Sequence, residues 1–222
     1  MSAKKSLYIA HRGHGFYENT EQSYKNSKKY YGIEGDVRVT ADGRFIMNHD
    51  PAVKFEDGSV FEVEKSTYKE LMDKTLIGGY KLCSFETYLQ TCKELNKQAI
   101  IELKTLLTET QISELIAKID KYHTQQKSTI ISFKKENVIA FKNITNMPVM
   151  LLFDLHKESN IEFCIQNKIT PSIYYPLIRA DDIKKIHASG LQVGTWTVNN
   201  IFANIRMKKL KLDFITSDKY YL

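Results

Sequence analysis

The chain has 222 residues, 42% hydrophobic and 26% charged, with a formal charge of +6. That length makes one large domain or two small ones, and the composition is that of an ordinary soluble globular protein. The lysines are spread rather than blocked, which suits a small anionic substrate. With no zinc pattern, RNP-like aromatics or basic heptad helix, the sequence carries no nucleic-acid signature, and no nucleic-acid partner is expected.

Leu7 to Ala10 is a short apolar run read as a buried first strand. His11 and Arg12 end it, so it is too short for a signal peptide's core or a membrane span. A cytoplasmic protein without stable membrane anchoring is expected. Asn19 or Thr20 caps a helix over 20–31, which Gly32 ends. Ile33, Val37 and Val39 mark the second strand, and Ala41-Asp42-Gly43-Arg44 is a hairpin turn. Phe45 to Asn48 returns and delivers His49 and Asp50. Residues 51–83 break the rhythm and read as a small insertion with a short helix at 66–73. Ser84 then caps a helix to Asn96.

From there strand and helix alternate. Strands are expected at 98–104, 129–133, 148–153, 169–174, 191–198 and 214–216. Helices are expected at 109–122, 135–143, 158–168, 181–190 and 200–210. Eight such units with no linker predict a single (β/α)8 TIM barrel spanning residues 1–222, with a truncated final helix. The competing open doubly wound sheet lacks its glycine-rich loop, because Gly13 and Gly15 have no third partner. Cys83, Cys92 and Cys164 have no metal-like or redox-like spacing and read as buried free thiols.

In a barrel, function collects where the strands end. Glu34 and Asp36 lie two apart on one face of the second strand. Two readings of the pair are open: a solvated strand edge, or an oxygen-ligand site for Mg²⁺ or Ca²⁺. His11 and Arg12 close the first strand, the hairpin brings in His49, and Glu102 and Lys104 close the third. The last pair could equally be a salt bridge over the mouth. Trp196 could be a core plug, Asp154, His156 and Asp218 fit caps, and His123 and His187 read as surface. What favours a site is convergence of three carboxylates, two histidines, an arginine and a lysine at one end of the first three units.

The arrangement resembles the glycerophosphodiester phosphodiesterase family. The matching residues are Ala10-His11-Arg12-Gly13, Glu18-Asn19-Thr20, Ile33-Glu34-Gly35-Asp36-Val37-Arg38 with Thr40 and Asp42-Gly43, and His49-Asp50. Further on come Ile101-Glu102-Leu103-Lys104, Thr195-Trp196-Thr197-Val198-Asn199 and Phe214-Ile215-Thr216 with Asp218. The resemblance implies one divalent cation, Mg²⁺ or Ca²⁺, held by Glu34, Asp36 and Glu102, and an acid/base pair in His11 and His49. Arg12, Lys104 and Trp196 are then the expected substrate-binding residues, and a glycerophosphodiester the expected small-molecule substrate. Tyr17 stands where the family usually has proline, and the family's Arg-Thr after His-Asp is missing. Two alternatives remain: a lysophospholipase D or sphingomyelinase D-like enzyme acting on lipids, and an inactive barrel that only binds. No exposed apolar stripe for membrane docking is legible in the sequence.

Overall fold

Parallel strands must be covered on both faces, and the alternation of apolar strands with amphipathic helices meets that need by closure. The computed structural model describes residues 5–221. The first half contains β1 (Leu7–Ala10), α1 (Glu21–Lys25), β2 (Gly32–Val39), β3 (Phe45–Met47), β4 (Ala52–Lys54), β5 (Val60–Glu62), α2 (Tyr68–Met72), β6 (Cys83–Ser84) and α3 (Phe85–Glu94). The second half contains β7 (Gln98–Leu103), α4 (Glu109–Tyr122), β8 (Ser128–Ser132), α5 (Lys135–Ile144), β9 (Val149–Phe153), α6 (Glu158–Gln166), β10 (Thr170–Tyr174), α7 (Ala180–Ala188), β11 (Gly194–Trp196), α8 (Ile201–Lys209) and β12 (Phe214–Ser217).

Strands β1, β2 and β7 to β12 run parallel, and the ring closes where β1 pairs with β12 (Leu7 opposite Phe214) and with β2 (Ile9 opposite Gly32). The fold is a (β/α)8 barrel, and no helix follows β12 among the described residues. After β2 the chain turns back as β3 and makes an excursion holding the β4–β5 ribbon and α2. It rejoins through β6, which is antiparallel to β3. Ile46, Val53, Phe55, Val63, Leu71 and Leu82 give this excursion its own small core.

Strand parity divides the main core into two. Residues such as Ile33, Val37, Ile101 and Ile130 face outward against the helices. Ile9, Ile100, Ile131, Met150, Leu152 and Phe214 face inward and fill the barrel. Each helix buries one stripe: Ile112, Leu115 and Ile119 do so on α4, whose cap Thr108 forms a capping box with Gln111. All three cysteines are free and buried.

Some boundaries differ from the expectation. The helix expected over 20–31 is only five residues long. The Tyr31 amide donates to Tyr8 O (2.8 Å) and its carbonyl accepts from Gln98, so strand pairing ends the helix early. Gly32 opens β2 rather than closing a helix, since a Cβ there would lie 3.0 Å from Gln98 O. The 191–198 strand shrinks to three residues because the Leu191 amide is taken by Ile186 O at the end of α7.

His123, expected on the surface, is buried at the C-cap of α4, with Nε2–H donating to Lys127 O (3.1 Å). Burial lowers its pKa below the ordinary 6.5. The folded state therefore resists a proton that the unfolded chain accepts. Its contribution is complete above about pH 6.5 and is lost as pH falls through the depressed folded value. Urea unfolding of wild type and His123→Gln between about pH 7.5 and 5.5 checks this: wild type should lose more stability on acidification than the variant.

Candidate active site

The inward side chains change character as the strands rise. Ile9 is followed by His11, Ile100 by Glu102 and Lys104, and Phe214 by Thr216 and Asp218, while β2 contributes Glu34 and Asp36. An apolar floor thus gives way to a polar mouth at the strands' C-terminal ends. Asp36 lies directly opposite Glu102 in the β2–β7 register. Ligand oxygens of Glu34, Asp36 and Glu102 all fall within 4.8 Å of one another.

Gly35 separates the two β2 carboxylates for a steric reason. A Cβ there would sit 2.6 Å from Met47 Cε and 2.8 Å from the Tyr24 hydroxyl. The space behind the strand belongs to Tyr24 and Tyr88, and the Tyr88 hydroxyl ties β2 to β7 by sharing its one proton between Ile33 O (2.8 Å) and Ile100 O (3.1 Å).

Each carboxylate is held individually. Arg12 adopts φ 51°, a left-handed backbone that turns its N–H onto Glu34 Oε2 at 2.8 Å. Its guanidinium reaches Glu18 (2.6 Å) and Asp36 (3.3 Å). Asn19, also left-handed at φ 56°, donates from Nδ2 to Asp36 Oδ2 (2.8 Å). Its Oδ1 accepts from the Asp36 amide (3.0 Å) and the Tyr24 hydroxyl (3.0 Å). Lys104 bridges Glu102 (2.6 Å) and Asp36 (3.3 Å).

The positive charge does not reach all three. Burial, then the Asp36 and Glu102 charges, push the Glu34 carboxyl well above the usual range, against the opposing pull of Arg12. Burial and Asp36 raise Glu102 as well, despite Lys104. Glu34 Oε1 is buried without a hydrogen-bond partner. An orphaned carboxylate oxygen beside two further carboxylates is the donor set a hard divalent cation takes, so the residues present fit Mg²⁺ or Ca²⁺.

Two imidazoles attend this cluster. His11 Nδ1–H donates to Asp218 Oδ1 at 2.7 Å, which leaves Nε2 for the mouth. Burial raises Asp218, but the His11 hydrogen bond and charge outweigh it and its pKa falls below the usual value. Asn199 fixes Asp218 from the other side, donating to Oδ2 and accepting from its amide (2.9 Å). His49 Nδ1–H donates to Asp50 (2.7 Å), its carbonyl accepts from Arg38 Nε (2.9 Å), and the preceding Asn48 amide donates to Asp36 O (2.9 Å), which sets His49 beside the cluster.

A small cavity of about 30 Å³ lies over the floor, with His11, Glu34, Glu102, Ser172 and Trp196 among its walls. Trp196 is partly buried and packs on the inward core while walling the cavity: its Nε1–H donates to Ser172 O (3.2 Å), and Phe133 and Tyr174 flank its ring at 5.4 and 5.2 Å. A larger cavity of about 960 Å³ beside α1 is lined by Lys25, Lys28, Lys29 and Lys219 and holds none of the three carboxylates.

Two residues of the site, both within the motifs named above, carry roles that the sequence did not assign. Asp218 read as a cap, yet barrel closure sets β12 beside β1 and brings it to His11. Asn19 read as a possible helix cap, but Thr20 caps α1 and Asn19 clamps Asp36. No local pattern carries either role. By contrast, His156 pairs with Asp182 (2.9 Å) and His187 with Asp213 (3.0 Å), and neither residue lines the cavity.

Fold and site together define a TIM-barrel enzyme with a carboxylate cluster and paired imidazoles at the mouth. The sequence profile of the glycerophosphoryl diester phosphodiesterase family matches residues 11–221. The chain belongs to that family and is a phosphoric diester hydrolase. It is 23% identical over 231 residues to the glycerophosphodiester phosphodiesterase of Bacillus subtilis (strain 168), covering 90% of this chain and 79% of that one. Among solved structures, a glycerophosphodiester phosphodiesterase from Parabacteroides distasonis superimposes with a TM-score of 0.84 at 24% identity, covering 98% and 94% of the two chains. A phosphodiesterase from Oleispira antarctica, in complex with the product sn-glycerol-3-phosphate, gives 0.88 at 18% identity, covering 96% and 93%.

Removing the Asn19 side chain strips Asp36 of two hydrogen bonds in a buried setting. Asn19→Ala should lower unfolding free energy by roughly 1–3 kcal/mol in urea titrations, and Tyr24→Phe, which spares the Asp36 contacts, by less.

Proposed function

We propose that the chain hydrolyses glycerophosphodiesters to glycerol 3-phosphate and an alcohol. The observation that carries this reading is the set of three carboxylates gathered within 4.8 Å beside the His11–Asp218 pair. Support also comes from the family match over residues 11–221 and from the product held by the Oleispira enzyme.

In this reading Glu34, Asp36 and Glu102 hold one divalent cation, Mg²⁺ or Ca²⁺. When bound, it supplies Lewis acidity and positive charge for a phosphate oxygen. Arg12 and Lys104 add fixed positive charge around the phosphate, and Trp196 forms a wall for the substrate. His11 is the base, with Asp218 holding its Nδ1–H so that Nε2 takes the proton of the attacking hydroxyl. His49 is the acid and protonates the leaving alkoxide as the phosphorus–oxygen bond breaks. The nucleophile is water or a neighbouring hydroxyl of the substrate; in the second case a cyclic phosphate forms first and water opens it.

The test is a panel of glycerophosphodiesters incubated with Mg²⁺ or Ca²⁺, with glycerol 3-phosphate detected by a coupled assay. Turnover should appear and should vanish with EDTA. His11→Ala and Glu34→Ala should each remain folded and lose at least ~10²-fold in kcat/KM. Asp218→Asn should lose activity and shift the pH profile, since it acts through the His11 imidazole. Near-normal rates for both alanine variants, or turnover indifferent to EDTA, would overturn the assignment.

A further inference from the structure

Exposed apolar side chains are not spread evenly over this protein. Phe16 is 100% exposed, Leu106 59%, Leu155 61% and Phe202 77%. They lie after β1, β7, β9 and β11, at the end of the barrel that holds the carboxylates. None belongs to a packed core cluster. Phe133 and Ile201 are exposed in the same ring of loops. At the opposite end of the barrel, the exposed large apolar residues among those described are Tyr31 and Ile144.

Cations accompany the ring. Lys134, Lys157 and Arg179 are exposed in the loops after β8, β9 and β10. The exposed acids beside them are Glu136, Asp154, Glu158 and Asp181, of which Glu158 is paired with Lys185 and Asp181 with Lys184. Lys134 and Lys157 enter no ion pair among the described residues.

We propose that this end of the barrel docks reversibly on an anionic lipid surface. Phe16, Leu106, Leu155 and Phe202 enter the boundary between head groups and acyl chains, while Lys134, Lys157 and Arg179 face the head-group charge. Apolar tips interleaved with cations are what such an interface takes. A small anionic ligand would use the cations and leave the four apolar tips in water. A second copy of the chain would set the same cations against each other. Separate loops, each offering one side chain, match a fluid surface better than a shaped groove. No helix among the described residues is long and apolar enough to cross a membrane, so attachment through this ring is peripheral. The inference goes beyond the proposed hydrolysis and does not depend on which phosphodiester is cut.

Sedimentation of the full chain in EDTA with vesicles of phosphatidylcholine, alone or with phosphatidylglycerol, tests it. Wild type should pellet with the anionic vesicles, less with the neutral ones, and less at high salt. Phe16→Ser/Leu155→Ser/Phe202→Ser should reduce the bound fraction about tenfold. Lys134→Glu/Lys157→Glu should reduce it on anionic vesicles only. Both variants should retain the wild-type melting curve and the wild-type rate on water-soluble glycerophosphocholine. Vesicle binding without turnover by any form would refute the proposed hydrolysis and leave docking in place. Wild type that stays in the supernatant with both vesicles, or a serine variant that binds as wild type does, would overturn docking. So would light scattering that shows a dimer abolished by the serine substitutions, which would make the ring a contact between copies.

Discussion

Repulsion among three clustered carboxylates, two of them fully buried, is the constraint around which this barrel is arranged. Glu34, Asp36 and Glu102 sit within 4.8 Å of one another on adjacent strands. At about 5 Å and an effective dielectric of about 20, each like-charged pair repels by ~3 kcal/mol. Lys104 spans Asp36 and Glu102, and Arg12 divides its guanidinium between Glu18 and Asp36. Glu34 receives one backbone N–H and keeps an unpartnered oxygen. The imbalance centres on Glu34, and a hard divalent cation bound there would relieve it.

The surrounding structure keeps that arrangement in place. Left-handed backbone at Arg12 and Asn19 turns one N–H and one carboxamide onto the carboxylates. Tyr24 and Tyr88 fill the volume that Gly35 leaves, and Tyr88 fastens β2 to β7. Closure through β1 and β12 gives His11 its carboxylate partner. The same closure produces a rigid scaffold whose loops carry the polar groups of the site and an apolar ring outside them. The carboxylates, the His11–Asp218 pair and the exposed apolar residues thus share one end of the barrel.

The alternation of strands and helices was legible because each element is periodic over its own length. α4 occupies 109–122 as its apolar spacing requires. Reading failed where tertiary pairing overrides local signals. Residues 26–31 have helix-compatible composition, but their end is captured by Tyr8 and Gln98. His123 looked like a solvent-facing helix residue until the following turn folded over it. In the site, the residues two apart on one strand could be read from parity alone. Asp218 could not, because 207 residues separate it from His11 and only barrel closure makes them neighbours. The exposed ring was equally hidden, since its members are single apolar residues scattered among polar loops.

Anomalous diffraction from crystals soaked in manganese, a stand-in for Mg²⁺ or Ca²⁺ that scatters strongly, tests the central claim most directly. The account predicts one strong peak within coordination distance of an oxygen from each of Glu34, Asp36 and Glu102. Crystals of equal quality with no peak there, or with the ion bound elsewhere and Lys104 still spanning Asp36 and Glu102, would contradict it.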